Sequence, residues 1–168
     1  MWFSDAYRFE RVPELADVVS FLNASGLVGL MEIKASKAAP QLRERLVEGI
    51  VASLKALTSH TDQFLAVSSD PALLRALHQE NPDIRVGFVA GAVLHSAPRI
   101  AHKLGVDIVV ADEAALNEHE VRSLHHAGLT VIARGVDTPQ RAHELAGWGI
   151  ETVLSEHPEH FTARDLTR

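Results

Sequence analysis

The chain has 168 residues, of which 46% are hydrophobic and 23% are charged, and its formal net charge is −6. This length suits one soluble domain, and an acidic balance without a basic stripe argues against nucleic acid as a partner. Cysteine is absent, which excludes disulfides, thiolate metal sites and cysteine nucleophiles.

The N-terminal residues show the pattern of neither a signal peptide nor a strand. Residues 1–15 have no basic head followed by an apolar run, which a signal peptide would require. No later apolar stretch approaches the roughly 18 residues of a membrane helix. We therefore expect a cytoplasmic protein without a membrane span, unless a segment upstream carries a signal. Helical periodicity over residues 12–26 then predicts one helix before the first strand.

Six short apolar runs, rich in valine, isoleucine and leucine, predict buried strands. Between them, apolar residues recur at three- and four-residue spacing, which is typical of amphipathic helices. Pro71, Pro98 and Pro139 fall where a first helical turn tolerates proline. The alternation of strand and helix indicates a parallel α/β sheet. The predicted strands are residues 30–34, 64–69, 85–90, 107–112, 130–135 and 152–157.

The last five predicted strands begin at a nearly constant step, which favours a TIM-barrel-like (β/α) fold built from minimal strand–helix units. An open doubly wound sheet is the alternative. A closed eight-stranded barrel takes about 250 residues, and only six strand–helix units are visible here. We therefore predict a single partial TIM-barrel domain over residues 1–168, incomplete relative to an eight-stranded barrel.

Two charged residues share one face of the first predicted strand. The period of two places Leu30, Glu32 and Lys34 on one side and Met31 and Ile33 on the other. If the second pair faces the helices, Glu32 and Lys34 face the interior near the C-terminal rim, where barrel enzymes place their sites. A carboxylate there suits a divalent cation and an ammonium suits a phosphate oxygen. An internal salt bridge is the equally weighted alternative.

Polar residues at the other strand ends are interpreted as helix caps or turn residues, and Asp70 and Asp137 fit that pattern. The ten histidines show no zinc signature such as His-Glu-x-x-His, so we expect surface or packing roles for them. The residues so interpreted include Ser68, Ser69, Asp112, Glu113, Arg134, Ser155, Glu156, His119, His125, His126, His157 and His160.

Residues 68–88, SSDPALLRALHQENPDIRVGF, resemble the glycerophosphodiester phosphodiesterase family in their strand end, Asp-Pro, leucine-rich helix and Asn-Pro-Asp turn. The likeness is collinear from about Arg11 to Phe161 and includes RVPELADVV, LMEIK, KLGVDIVV, HHAGLTVIARGVDTP and WGIETVLSEHPEHF. This resemblance implies a TIM barrel that hydrolyses small glycerophosphodiesters to glycerol 3-phosphate and an alcohol, with a divalent metal such as Ca²⁺ or Mg²⁺ as cofactor.

Within that resemblance, Glu32 would be a metal ligand and Lys34 a substrate-binding residue. The family's acid and base histidines belong to His-Arg-Gly and His-Asp motifs, and its Glu-Asn and Glu-x-Asp motifs complete the metal site. His-Arg-Gly, His-Asp and Glu-x-Asp do not occur in this sequence, and its one Glu-Asn pair, residues 80–81, belongs to the Asn-Pro-Asp turn, so no catalytic residue is assigned. Ser69 stands where phenylalanine is usual, and Arg134 opens a segment where the family favours Trp-Thr-Val-Asn. We therefore expect weak or absent metal binding and little activity, as in a chain that lacks an upstream segment.

Two alternatives belong to other functional classes. The edge strands of an incomplete barrel ordinarily need covering, so the chain could be a non-catalytic binding or assembly module that completes its barrel with another chain, for example as a homo-oligomer. Residues 131–145 also resemble EAL-type cyclic-di-GMP phosphodiesterases over a short stretch. Arg134 stands where that family has a functional glutamate, which ranks this alternative last.

Overall fold

A computed structural model describes residues 8–34, 40–56 and 64–162. Six parallel strands form one sheet, in which each strand pairs with the next one in the sequence. The strands are β1 Gly29–Glu32, β2 Phe64–Ser68, β3 Arg85–Val89, β4 Ile108–Asp112, β5 Thr130–Arg134 and β6 Thr152–Leu154. The α-helices are α1 Leu15–Ser25, α2 Pro40–Leu54, α3 Pro71–Glu80, α4 Ala97–Leu104, α5 Glu118–His126 and α6 Pro139–Gly147.

Side-chain caps position the helices that follow the strands. At α3 the Asp70 Oδ1 atom accepts a hydrogen bond from the backbone N–H of Ala72 at 2.9 Å, as expected of an N-cap. The cap of α6 is Thr138, whose Oγ1 accepts from the N–H of Arg141 at 3.3 Å. Asp137 is consequently a turn residue and not the cap. No helix in the described parts of the chain combines the length and apolar character needed to cross a bilayer.

The sheet separates two apolar layers. One face packs against the helices in a large cluster that contains Ile33, with Met31 packed against it. The other face carries a smaller cluster, against which Leu30 packs. Met31 and Ile33 thus face the helices, which was the condition for Glu32 and Lys34 to face the interior. The smaller, inner cluster consists of Leu65, Val67, Val89, Ile108, Val110 and Ile132, with Leu30 and Leu154 packed against it.

The sheet is curled into an incomplete barrel. Glu32 ends β1 and Arg134 ends β5, yet Oε1 of Glu32 lies 3.7 Å from Nη1 of Arg134. In a flat sheet, four strand spacings of about 4.8 Å would separate these strands by roughly 19 Å. A doubly wound sheet would also reverse its strand order at a switch point, whereas the order here is sequential. The partial (β/α) barrel is confirmed and the open sheet is excluded.

Four of the six strands agree with the predicted limits to within one residue at each end. The largest difference is in the last strand, which ends at Leu154 instead of residue 157. Ser155 and Glu156, which follow Leu154, make hydrogen bonds with the Asp137 carboxylate and not with β5. Oδ1 of Asp137 accepts from Ser155 Oγ at 2.9 Å and from the Glu156 N–H at 3.1 Å. A loop therefore replaces the predicted end of this strand.

Candidate functional site at the barrel mouth

Four charged residues lie at the C-terminal ends of the strands and are called here the rim quartet: Glu32, Lys34, Asp112 and Arg134. Three of them are the last residues of β1, β4 and β5. Side chains alternate between the two faces of a strand, and Leu30, Val110 and Ile132, two positions earlier on these strands, belong to or pack on the inner cluster. The quartet therefore faces the barrel mouth, above the inner apolar layer.

Arg134 is the best-held member of the rim quartet. Its Nε donates to Asp112 Oδ1 at 2.6 Å and its Nη2 donates to Oδ2 at 3.3 Å, a bidentate pairing across adjacent strands. The hydrogen bond that Arg134 donates to Asp112 is the main reason that the pKa of Arg134 is raised above its ordinary value, against the opposing effect of burial. Arg134 is therefore a permanent cation at the mouth.

Glu32 and Lys34 are held more loosely. Lys34 Nζ lies 3.8 Å from Glu32 Oε2, and the Lys34 side chain is 80% exposed. This distance is longer than a charge-assisted hydrogen bond, so the salt bridge that was the alternative interpretation is only a loose contact. The Lys34 ammonium remains accessible to an anionic ligand from solvent.

Ser68, at the end of β2, hydrogen-bonds to the backbone that follows β1. This buried residue donates from its Oγ to the Ile33 carbonyl at 2.7 Å and accepts from the Asp70 N–H at 3.1 Å. The Ile33 N–H in turn donates to the Val67 carbonyl at 2.8 Å, which extends the β1–β2 pairing by one residue. The backbone between Glu32 and Lys34 is thereby fixed, and Ser68 has the structural role expected from its position.

A second polar cluster forms after β6, where sequence spacing predicted none. A single turn of 3-10 helix, Pro158–His160, brings potential ligand atoms of His157, Glu159 and His160 to within 4.8 Å of one another. In a 3-10 helix, residues three apart lie on the same side. The His-Pro-Glu-His order is therefore the sequence feature that goes with this cluster, and zinc spacings typical of α-helices do not include it.

The chain matches one known protein family over nearly its whole length. Residues 1–160 match the glycerophosphoryl diester phosphodiesterase family. The chain therefore belongs to this family, and its fold is the corresponding part of a TIM-type barrel. No curated protein sequence matches it.

Solved structures show the same fold at low sequence identity. A candidate glycerophosphoryl diester phosphodiesterase from Silicibacter pomeroyi is 20% identical with a TM-score of 0.81, over 93% of this chain and 57% of that one. An Oleispira antarctica phosphodiesterase in complex with the product sn-glycerol-3-phosphate is 20% identical with a TM-score of 0.79, over 88% and 58%. This chain thus spans less than two thirds of either protein.

The EAL domain of Xanthomonas citri FimX in complex with c-diGMP gives a TM-score of 0.61 at 15% identity, over 84% of this chain and 65% of that domain. At such identities the likeness concerns the fold alone. The barrel is therefore shared between these two groups of proteins, and the choice between their chemistries has to come from the residues at the mouth.

The rim quartet by itself is a poor donor set for the divalent metal that the family implies. Ca²⁺ takes about six to eight oxygen ligands and Mg²⁺ about six. Glu32 supplies one carboxylate, and its two oxygens already face Arg134 at 3.7 Å and Lys34 at 3.8 Å. Asp112 is occupied by the bidentate contact with Arg134. These four residues do not fit a hard cation without further ligands.

Proposed function

We propose that this chain forms the phosphate-binding side of a glycerophosphodiester phosphodiesterase barrel, with Lys34 contacting the substrate phosphate and Glu32 contributing one carboxylate to a metal site. The observation that carries this proposal is the placement of both residues at the end of β1, side by side and facing the mouth. Membership of the family supports it. A small glycerophosphodiester as ligand, no nucleic-acid partner and a cytoplasmic location are parts of the same proposal.

In this chain alone we expect little or no hydrolysis and weak binding of Ca²⁺ or Mg²⁺. The sequence contains none of the His-Arg-Gly, His-Asp or Glu-x-Asp motifs that the resemblance requires for proton transfer and metal binding, and its one Glu-Asn pair, residues 80–81, ends helix α3. Positioned acid–base catalysis accounts for about two to four orders of magnitude in rate. Arg134 also places a cation beside Glu32, where a divalent ion would have to compete with it.

Two measurements on the same preparation test the proposal. The first follows release of choline from glycerophosphocholine with Ca²⁺ or Mg²⁺; we expect no rate above the protein-free blank, and metal-dependent turnover would contradict the expected inactivity. The second follows binding of sn-glycerol 3-phosphate by NMR. We expect Lys34→Ala to abolish binding, while Lys103→Ala, an exposed lysine on α4, leaves it unchanged. Equal effects of the two substitutions would exclude Lys34 as the phosphate contact.

A second candidate function is an assembly module that completes its barrel with another chain. It is favoured by exposed apolar side chains on the helices beside β1, where Phe21 is 59% and Leu42 is 56% exposed. The described part of the chain also gives β1 only one neighbouring strand, and an open strand edge ordinarily needs covering. Light scattering over a hundredfold range of concentration tests self-assembly: a monomer throughout would exclude a homo-oligomer.

Hydrolysis of cyclic-di-GMP remains the least supported of the three functions considered. Its only structural support is the shared barrel, and Arg134 is bound to Asp112 where a functional glutamate would be needed. A titration of cyclic-di-GMP with Mg²⁺ present is expected to show no binding. Saturable binding with one equivalent would revive the hypothesis.

A further inference from the structure

We propose that His157, Glu159 and His160 form a binding site for one divalent transition-metal ion of the zinc class. This site is distinct from the proposed contribution of Glu32 to a metal site, in both its residues and the type of ion. The three side chains are exposed, and their potential ligand atoms lie within 4.8 Å of one another.

The local backbone brings the two imidazoles together. Within the 3-10 turn the His160 N–H donates to the His157 carbonyl at 3.0 Å, which closes an i to i+3 ring. The two rings are nearly parallel, with centroids 4.9 Å apart and an angle of 14° between their planes. His157 Nδ1 and Glu159 Oε1 are 3.1 Å apart. The donor groups are thus gathered on one side of a four-residue segment.

His160 is oriented by a partner of the kind that metal-binding histidines use. Its Nδ1 lies 3.0 Å from the backbone carbonyl oxygen of Asp137. Because a carbonyl oxygen can only accept, Nδ1 carries the proton, and the lone pair of the neutral ring is then on Nε2. A hydrogen bond from the second ring nitrogen to a backbone carbonyl is the usual outer contact of a histidine that ligates a metal.

The segment that carries the three residues is hydrogen-bonded to the loop between β5 and α6. The Asp137 carboxylate accepts from Ser155 Oγ at 2.9 Å and from the Glu156 N–H at 3.1 Å. The Ser155 hydroxyl oxygen also accepts from the His157 N–H at 2.9 Å. These contacts fix the backbone before any ion binds, so that only side-chain rotations remain to be ordered.

Two imidazoles and one carboxylate determine which ions are suitable. Imidazole favours zinc, copper, nickel and iron over calcium and magnesium, which take oxygen ligands. In a tetrahedral zinc site, bonds of about 2.0–2.2 Å put neighbouring ligand atoms roughly 3.4 Å apart. Potential ligand atoms of the three residues already lie within 4.8 Å of one another, and rotations of the exposed side chains can bring them to this spacing. Three protein ligands leave one coordination position for water or an external ligand.

The test is a titration of Zn²⁺ against a chromophoric chelator, with Co²⁺ absorption to report coordination geometry. We expect one equivalent to bind, and His157→Ala, His160→Ala and Glu159→Gln each to weaken the affinity roughly tenfold or more. His126→Ala is the matched histidine control, because its Nδ1 makes the same type of contact with a carbonyl, that of Arg122, at 2.8 Å on α5. Glu156→Gln is the matched carboxylate control. Both controls should retain the affinity of the unsubstituted chain.

The same titration can overturn the proposal. Absence of Zn²⁺ binding, or one equivalent that persists with unchanged affinity when all three residues are replaced, would refute the site. Weakening by His126→Ala equal to that by His160→Ala would show diffuse binding to surface histidines and would also refute it. Circular dichroism of each variant verifies that it is folded. Titration with Ca²⁺ or Mg²⁺ reports on Glu32 separately, so the two proposals can fail independently.

Discussion

The two ends of the curled sheet are held together to different degrees. At the end formed by α1, β1 and α2, called here the open end, Glu32 meets its cationic neighbours at 3.7 and 3.8 Å. The other end is formed by β4 to β6 with α5 and α6 and is called the closed end for its short polar contacts, since β6 is itself an edge strand. There Arg141 donates to the Glu113 carboxylate at 2.6 Å and to the Leu116 carbonyl at 2.9 Å. The proposed phosphate contact, Lys34, and its neighbour Glu32 thus belong to the less constrained end.

Apolar burial follows the same division. Leu145 on α6 is fully buried, whereas Phe21 and Leu42 on the open end are more than half exposed. A packed interior resists changes of even one methylene group, while exposed apolar side chains are free to meet a partner. The comparison therefore links the proposed phosphate contact and the proposed assembly surface to one region of the molecule.

The largest expected effect comes from a matched pair of leucines. Leu145→Ala should lower the free energy of unfolding by about 2–5 kcal/mol, because it leaves a cavity in the closed end. Leu42→Ala should change it by less than about 0.5 kcal/mol, because that side chain is exposed. Urea unfolding followed by circular dichroism measures both. If Leu42→Ala proved as costly as Leu145→Ala, α2 would have to be covered in solution, and the open end would not be open.

The next largest effect is the loss of stability when an arginine at each end is replaced. Arg141→Met should cost about 2–3 kcal/mol, because it leaves Glu113 and two backbone carbonyls without their donor. Arg43→Met should cost about 1 kcal/mol or less. Among the described residues Arg43 donates to Asp70, at 2.9 Å, and Asp70 keeps its backbone donors on α3 when that contact is lost. Thermal unfolding measures the difference, and equal losses would contradict the division between the two ends.

Substitutions at two glycines, one on the inner face of the sheet and one on the exposed side of α2, test the packing at each place. A Cβ atom at Gly87 would lie 3.1 Å from side-chain atoms of both Ile108 and Val67, so Gly87→Val should cost about 1–3 kcal/mol through overpacking. At Gly49 on α2 a Cβ atom would meet nothing within 4 Å, so Gly49→Ala should stabilise the protein by about 0.5–1 kcal/mol. Chemical denaturation checks both signs. Tolerance of valine at position 87 would mean that the inner layer is loosely packed.

The smallest expected effect is on the pKa of Asp137 and on stability at low pH. The Ser155 hydroxyl, followed by the Glu156 N–H, holds the pKa of Asp137 below its ordinary value. A depressed carboxyl pKa contributes stability that is present above the ordinary pKa and is lost as the pH falls through the lowered one. Ser155→Ala should raise the pKa of Asp137 toward its ordinary value in an NMR titration, while Ser123→Ala on α5 should not. An unchanged pKa in Ser155→Ala would contradict the assigned hydrogen bond.

Local rules were sufficient for much of the fold. The period of two placed Glu32 and Lys34 on the same face of their strand, and the cap pattern identified Asp70, because both depend only on residues close together in the chain. The end of the last strand was predicted wrongly, since a side chain from the preceding loop, Asp137, competes for the backbone there. Long-range competition of this kind has no local signature.

The amino-acid sequence by itself determined the order of strands and helices, that Glu32 and Lys34 share one face of their strand, and the likeness to one enzyme family, because these follow from short-range periodicity and motif order. Only the tertiary structure decided that Arg134 reaches Glu32 and that Asp137 supports His160. Both contacts join residues that are distant in sequence. They exist because the sheet curls and because the strand ends meet at one rim, a geometry that no local pattern specifies.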